Sequence, residues 1–153
     1  MSKLIMFIGI PGSGKTTAAR KYRDDYIAKH GEDILIIEAD TFFTDPLTGK
    51  YKWDRRKLGQ AHTHCQIAAR IEMINGRDVI VSNTSLTPKE REPYLKSAKK
   101  YGYDVEVITC NGEYKNVHGV PEETIERMKK KFIPYSENEL EKILKNSNFK
   151  FTF

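Results

Sequence analysis

Leu4-Ile5-Met6-Phe7-Ile8, followed at once by Gly9-Ile10-Pro11-Gly12-Ser13-Gly14-Lys15-Thr16, decides how this chain folds. The first stretch is an apolar run of strand length; residues 9–16 match G-x-x-x-x-G-K-[ST] at every fixed position. From Lys15 to about Lys29 the chain reads as helix, with a glycine stop at His30-Gly31. Strand, glycine loop and helix in that order make a phosphate cradle. The glycines let successive backbone N–H groups point inward around a polyphosphate, and the helix N-terminus adds partial positive charge. Gly9, Pro11, Gly12, Ser13, Gly14, Lys15, Thr16 and Thr17 are therefore the expected contacts to ATP. Lys15 is expected to reach the β- and γ-phosphates, and the Thr16 hydroxyl to bind Mg²⁺. A chance match in a glycine-rich turn would lack the flanking strand and helix.

Working outward, apolar runs and helical patterns alternate. Ile34-Leu35-Ile36-Ile37 reads as a second strand carrying Glu38-Ala39-Asp40 at its end, and residues 41–54, with Pro46 and Gly49, read as an irregular loop. Arg55 to Asn75 has Leu58, Ala61, Cys65 and Ala68 at helical spacing and a stop at Gly76. Val79-Ile80-Val81 is a third strand. Thr87-Pro88-Lys89-Glu90 combines an N-cap, a first-turn proline and a capping box, so it starts a helix running to Tyr101, bent at Pro93. Val105-Glu106-Val107-Ile108 is a fourth strand, Pro121 opens a helix to about Phe132, and Ser136 caps a last one to about Asn146. Phe149-Lys150-Phe151-Thr152-Phe153 alternates like a short edge strand or a frayed end. This order predicts an α/β P-loop NTPase fold in three layers: a parallel sheet of four or five strands flanked by helices, joined by right-handed crossovers.

The chain has 153 residues, 39% hydrophobic and 31% charged, which suits a single domain (1–153) with its own core. No apolar run is long enough to span a membrane and residues 1–8 lack a signal-peptide core, so no membrane partner is expected. Cys65 and Cys110 are far apart without metal-type spacing, which suggests reduced thiols in a cytoplasmic protein. The net charge of +5 leans toward a polyanionic partner, although Lys129-Lys130-Lys131 suits a solvated helix face equally well.

In open parallel sheets ligands bind beyond the carboxyl ends of the strands. That rule collects the phosphate loop, Asp40, the Ser82-Asn83-Thr84-Ser85 turn and the segment after Cys110. Asp40 is the candidate general base, accepting a proton from an acceptor hydroxyl as the γ-phosphoryl group departs; a turn-forming Asp is the plain alternative. Val79-Ile80-Val81 leads into Ser82-Asn83 without the carboxylate that often helps hold Mg²⁺, which argues against a motor ATPase and for a small kinase. Phe42, Phe43, Tyr51 and Trp53 near Asp40 are candidates to stack on an acceptor, or to pack a loop onto the sheet. His62 and His64, two apart on a helix, make a poor metal pair.

Taken in order, Gly9–Thr16, Asp40, Lys57-Leu58-Gly59-Gln60-Ala61-His62, Val79 through Pro88, and Asn116-Val117-His118-Gly119-Val120-Pro121 through Met128 resemble the P-loop polynucleotide 5′-hydroxyl kinases. The kinase domain of phage polynucleotide kinase–phosphatases is the nearest comparison, and the resemblance covers about residues 3–132. It implies transfer of the γ-phosphate of ATP to a 5′-OH end of DNA or RNA in nucleic-acid repair, with Lys15 and Thr16 on phosphate and Mg²⁺ and Asp40 as base. Asn83 matches a position where such kinases often hold Asp. A lid-like segment at about 111–132 is implied to bring a cation to the transferring group, and Lys115 or Arg127 is the candidate. Thr41-Phe42-Phe43 stand where the acceptor-phosphate Arg is expected, so Arg91, Arg55 or Arg56 is the substitute, and Phe43 and Asn83 join the acceptor side. The alternatives are a small-molecule or nucleoside kinase on the same scaffold, and a nucleotide-binding module without turnover.

Overall fold

The computed structural model describes residues 1–112 and 119–145, without the side chain of Leu144. Strand β1 (Lys3–Ile8) runs into the glycine loop and helix α1 (Lys15–His30). Strand β2 (Leu35–Ile37) and one helical turn, α2 (Ala39–Phe42), follow. A 3₁₀ turn at Arg55–Lys57 opens helix α3 (Leu58–Ile74), then come β3 (Val79–Ser82), α4 (Pro88–Lys100) and β4 (Asp104–Thr109). Helices α5 (Glu122–Lys131) and α6 (Glu137–Lys145) complete the described chain. The expected loop at 41–54 thus holds a helical turn and a single antiparallel bridge, Thr44 to Tyr51. Residues 149–153, the expected edge strand, lie outside the described residues.

The sheet has four parallel strands in the order β2-β3-β1-β4. From β1 the chain moves two places to β2, then reverses toward β3 and on past β1 to β4. Right-handed crossovers in opposite directions put their helices on opposite faces, and the core divides accordingly. Leu4, Met6, Val79 and Val81 point to the α3–α4 face with Cys65, Ala69, Met73, Tyr94 and Leu95. Ile5, Phe7 and Ile80 point to the α1 face with Ala19 and Ile34. Strand alternation sorts one apolar run into two cores.

Local signals fix the ends. Gly31 closes α1 at φ 70° and donates its N–H to Ile27 O. Thr87 and Glu90 form the full capping box, and α4 continues through Pro93. Tyr103 anchors the other end of the sheet, its hydroxyl donating to Arg77 O at 2.8 Å.

Candidate active site

At the carboxyl end of β1 the backbone leaves the sheet through Gly9, whose φ is 151°. A Cβ here would run into Cys110 O and lie 2.6 Å from Ser13 Oγ, so only glycine fits. Gly9 N–H donates to Thr84 O at 3.0 Å, Cys110 N–H to Ile8 O at 2.8 Å, and Gly112 N–H to Ser13 O at 3.1 Å. The loop is thereby clamped between the end of β3 and the exit of β4. Gly12 and Gly14 take φ of 80° and 94°, the left-handed turns that let a backbone wrap an anion. Lys15 Nζ donates to Ile10 O at 3.1 Å, which folds the side chain back over the loop. Burial lowers the Lys15 pKa; the negative fields of Cys110, Asp40 and Glu38 oppose that. Thr16 and Thr17 face solvent on the first turn of α1. Beside them lies an open cleft of about 340 Å³ lined by Ser13, Gly14, Thr17, Lys21, Cys110 and Asn111 among others.

Asp40 lies in α2, just past the end of β2, and Lys15 feels its charge. Asn83 Oδ1 accepts the Ala39 N–H at 2.8 Å, fixing where α2 starts. Thr44 Oγ1 donates to Asp40 O at 2.9 Å, and the Tyr51 hydroxyl donates to Asp40 Oδ1 at 3.1 Å. Burial, then the Asp40 charge and this hydrogen bond, push the Tyr51 pKa up to about 12. Tyr51 therefore stays a donor at neutral pH and holds one carboxylate oxygen of Asp40 in place.

Three expected acceptor residues have other work. Arg91 is fully buried: Nε and Nη2 donate to Glu139 at 2.8 and 3.0 Å, Nη1 to Ser85 O at 2.7 Å, and Nη2 also to Ile133 O at 2.9 Å. With four hydrogen bonds made inside the fold, it ties α4, α6 and the β3–α4 loop together and, fully buried, presents nothing to an acceptor phosphate. Phe43 is buried too, edge-on to Phe42 and Tyr51, so it packs the loop; Phe42 and Trp53 keep the exposed aromatic faces. Asn83 turns to the α3–α4 face, where its amide affects Cys65 and Tyr94 as well as gripping Ala39, so it supports α2 and does not face an acceptor. Arg127 is on an exposed position of α5, while Lys115 and His118 lie outside the described residues.

Within the Ser82-Asn83-Thr84-Ser85 turn the sequence singles out Asn83, whereas the structure points to Ser82. It pairs in register with Phe7, a residue of the α1 face, so strand alternation puts Ser82 on that face too. Its hydroxyl is buried without a partner. Counting alternation along β3 from Ile80 would have picked Ser82 rather than Asn83 as the residue turned toward α1. Among the described residues no three of His, Cys, Asp or Glu gather to hold a metal. That fits Mg²⁺ held chiefly by nucleotide phosphates with a few hard oxygen donors, and Thr16 and the orphaned Ser82 hydroxyl are of that kind.

Residues 4–135 match the family model for the AAA domain. The chain is 31% identical over 136 residues to human NEDD4-binding protein 2, which covers 82% of this chain and 7% of that protein. It therefore spans only a small part of that relative's length. Among solved structures it is similar to the Mycobacterium tuberculosis APS kinase CysC in complex with AMPPNP and APS, with TM-score 0.55, 19% identity, and 82% of this chain and 67% of that chain covered. It is likewise similar to a chain of the Pnkp1/Rnl/Hen1 complex, with TM-score 0.53, 19% identity, and 88% and 40% covered. At these identities the structural likenesses show a shared fold.

Proposed function

The chain belongs to the AAA-domain family, and we propose that within it the chain is an ATP-dependent polynucleotide 5′-hydroxyl kinase acting in nucleic-acid repair. The observation that carries the proposal is the placing of Lys15 and Asp40 at one edge of the sheet: a phosphate-loop cation after β1, and just past the end of β2, two places along, a carboxylate whose charge acts on that lysine. That pairing suits phosphoryl transfer to an alcohol. Lys15 swings from Ile10 O to the β- and γ-phosphates of ATP, the loop N–H groups hold the chain of phosphates, and the cleft beside Thr17 receives the nucleoside half. Asp40, steadied by Tyr51, takes the proton of the acceptor hydroxyl as its oxygen bonds to the γ-phosphorus and the bond to the β-bridging oxygen breaks. The Thr16 hydroxyl would hold Mg²⁺, which when bound would supply charge neutralisation at the phosphates. Phe42, two residues on from Asp40, and Trp53 are exposed and offer stacking faces for the terminal base of a strand, and the +5 net charge favours a polyanion. Arg127 on α5 is the lid cation in this reading.

The burial of Arg91 favours a second reading, a small-molecule or nucleoside kinase, because it removes a guanidinium from the acceptor side. An acceptor screen with γ-labelled ATP separates the two. Labelling of 5′-hydroxyl oligonucleotides, abolished by Lys15→Ala or Asp40→Ala, supports the first. Labelling of nucleosides or other small alcohols without oligonucleotides supports the second and refutes the first. ATP binding with no acceptor labelled leaves a binding module.

A further inference from the structure

The end of β3 lacks the carboxylate that would hold the nucleotide's metal, and the register of the sheet shows where one comes from. Ile36 pairs with Ile80 and Ile37 with Val81 across β2 and β3, while Phe7 pairs with Ser82 across β1 and β3. One step further along the same register sets Glu38 beside Ser82. Glu38 keeps an extended backbone, φ −137° and ψ 136°, so alternation continues through it. Ile36, Ile80 and Phe7 belong to the α1 face; Glu38 and Ser82 therefore share that face, on strands about 4.8 Å apart. The N-terminal end of α1, with Thr16 as its second residue, follows directly from β1 above this face.

A further observation points to an occupant there. The Ser82 hydroxyl is buried, with no hydrogen-bond partner, in a residue only 5% exposed. Asn83 cannot serve in its place, because its amide is on the opposite face holding Ala39. A hydroxyl, a second hydroxyl and one carboxylate form an all-oxygen set, of the sort that holds a hydrated Mg²⁺ already bound to phosphates.

We propose that Glu38, with the Ser82 hydroxyl beside it, is the acidic anchor of the hydrated Mg²⁺ of the nucleotide, so that the metal's carboxylate comes from the end of β2 instead of β3. The assignment rests on the phosphotransferase reading above. It gives the two carboxylates of Glu38-Ala39-Asp40 separate tasks: Glu38 faces the metal, and Asp40, two residues on, faces the acceptor.

The test measures the affinity of a fluorescent ATP analogue in EDTA and in Mg²⁺, and reads the ratio. Glu38→Gln is expected to cut the Mg²⁺-dependent gain by about 10–100-fold while binding in EDTA stays at least as tight as in the wild type. Glu38→Gln/Ser82→Asp, which moves the carboxylate to β3, is expected to restore the gain. A Glu38→Gln protein with the wild-type ratio overturns the assignment and leaves Glu38 as a charge partner of Lys15 alone. If that variant also fails to bind in EDTA, Ser82→Ala decides, and an unchanged ratio there overturns the proposal. Wild-type protein that binds no ATP under either condition refutes the phosphotransferase reading itself, and this assignment with it.

Discussion

Replacing Arg91 by Met separates a structural arginine from an acceptor-binding one. Met keeps most of the apolar volume of the side chain and removes the guanidinium. Glu139, in a residue only 8% exposed, then loses the cation that meets both of its oxygens, and the carbonyls of Ser85 and Ile133 lose a donor. Breaking a buried pair from one side costs about 3–5 kcal/mol, chiefly for the stranded charge. Ser85 adds to the loss: it is held at φ 44°, an uncommon left-handed conformation for a side-chain-bearing residue, and the bond from Arg91 helps to keep it there. Against a total stability of roughly 5–15 kcal/mol such a loss is large, and at about 2–4 °C per kcal/mol it lowers the melting temperature by about 6–20 °C. Urea unfolding followed by circular dichroism measures it. Arg91→Met/Glu139→Leu removes both charges and is expected to recover most of the stability, since a buried pair and a well-packed apolar replacement are often close in energy. A loss below about 1 kcal/mol, the range of exposed pairs, would refute the reasoning. Arg91 would then be solvated and free to meet an acceptor phosphate.

Other outcomes follow from the site. Asp40→Asn should lower kcat by about 10²–10⁴-fold and leave ATP affinity near the wild-type value, as read by steady-state kinetics and nucleotide titration; equal losses in both would make Asp40 a binding group. Gly9→Ala forces a methyl group against Cys110 O and Ser13 Oγ, so it should abolish ATP binding and destabilise the fold by about 1–3 kcal/mol. The alkaline limb of stability should fall with two tyrosines whose pKa is pushed up to about 12: Tyr26, through burial and its hydrogen bond to Asp78, and Tyr51. The unfolded chain releases these protons first, near pH 10. It then binds fewer protons than the folded state, so stability is intact below about pH 10 and is lost as pH rises toward 12. Tyrosine absorbance at high pH checks this, and full ionisation near pH 10 with the fold intact would contradict it.

Read without coordinates, residues 4–16 already carry most of the fold and the donor half of the site, because each piece is a local device. An apolar run of strand length, glycines at positions that need left-handed turns, and a helix that follows directly leave the backbone one sensible course. The capping box at Thr87–Glu90 and the stop at Gly31 are equally local, and both are found as read. The short turn α2 was hidden because its start is fixed from outside, by Asn83 on another strand.

The acceptor half depended on which way side chains turn, and that is a property of strand pairing. Asn83 and Ser82 are adjacent in the chain and differ in the face they meet, the one gripping Ala39 and the other turned with Phe7 toward α1. Arg91 looked available on a helix near the site, yet α6 arrives from nearly fifty residues away to bury it against Glu139. The amino-acid sequence determines where backbone can bend around a phosphate, since that is a matter of neighbours in the chain. Which carboxylate faces a metal and which arginine is sealed in the core is decided only when distant elements pack, because burial and charge pairing exist between elements and not within them.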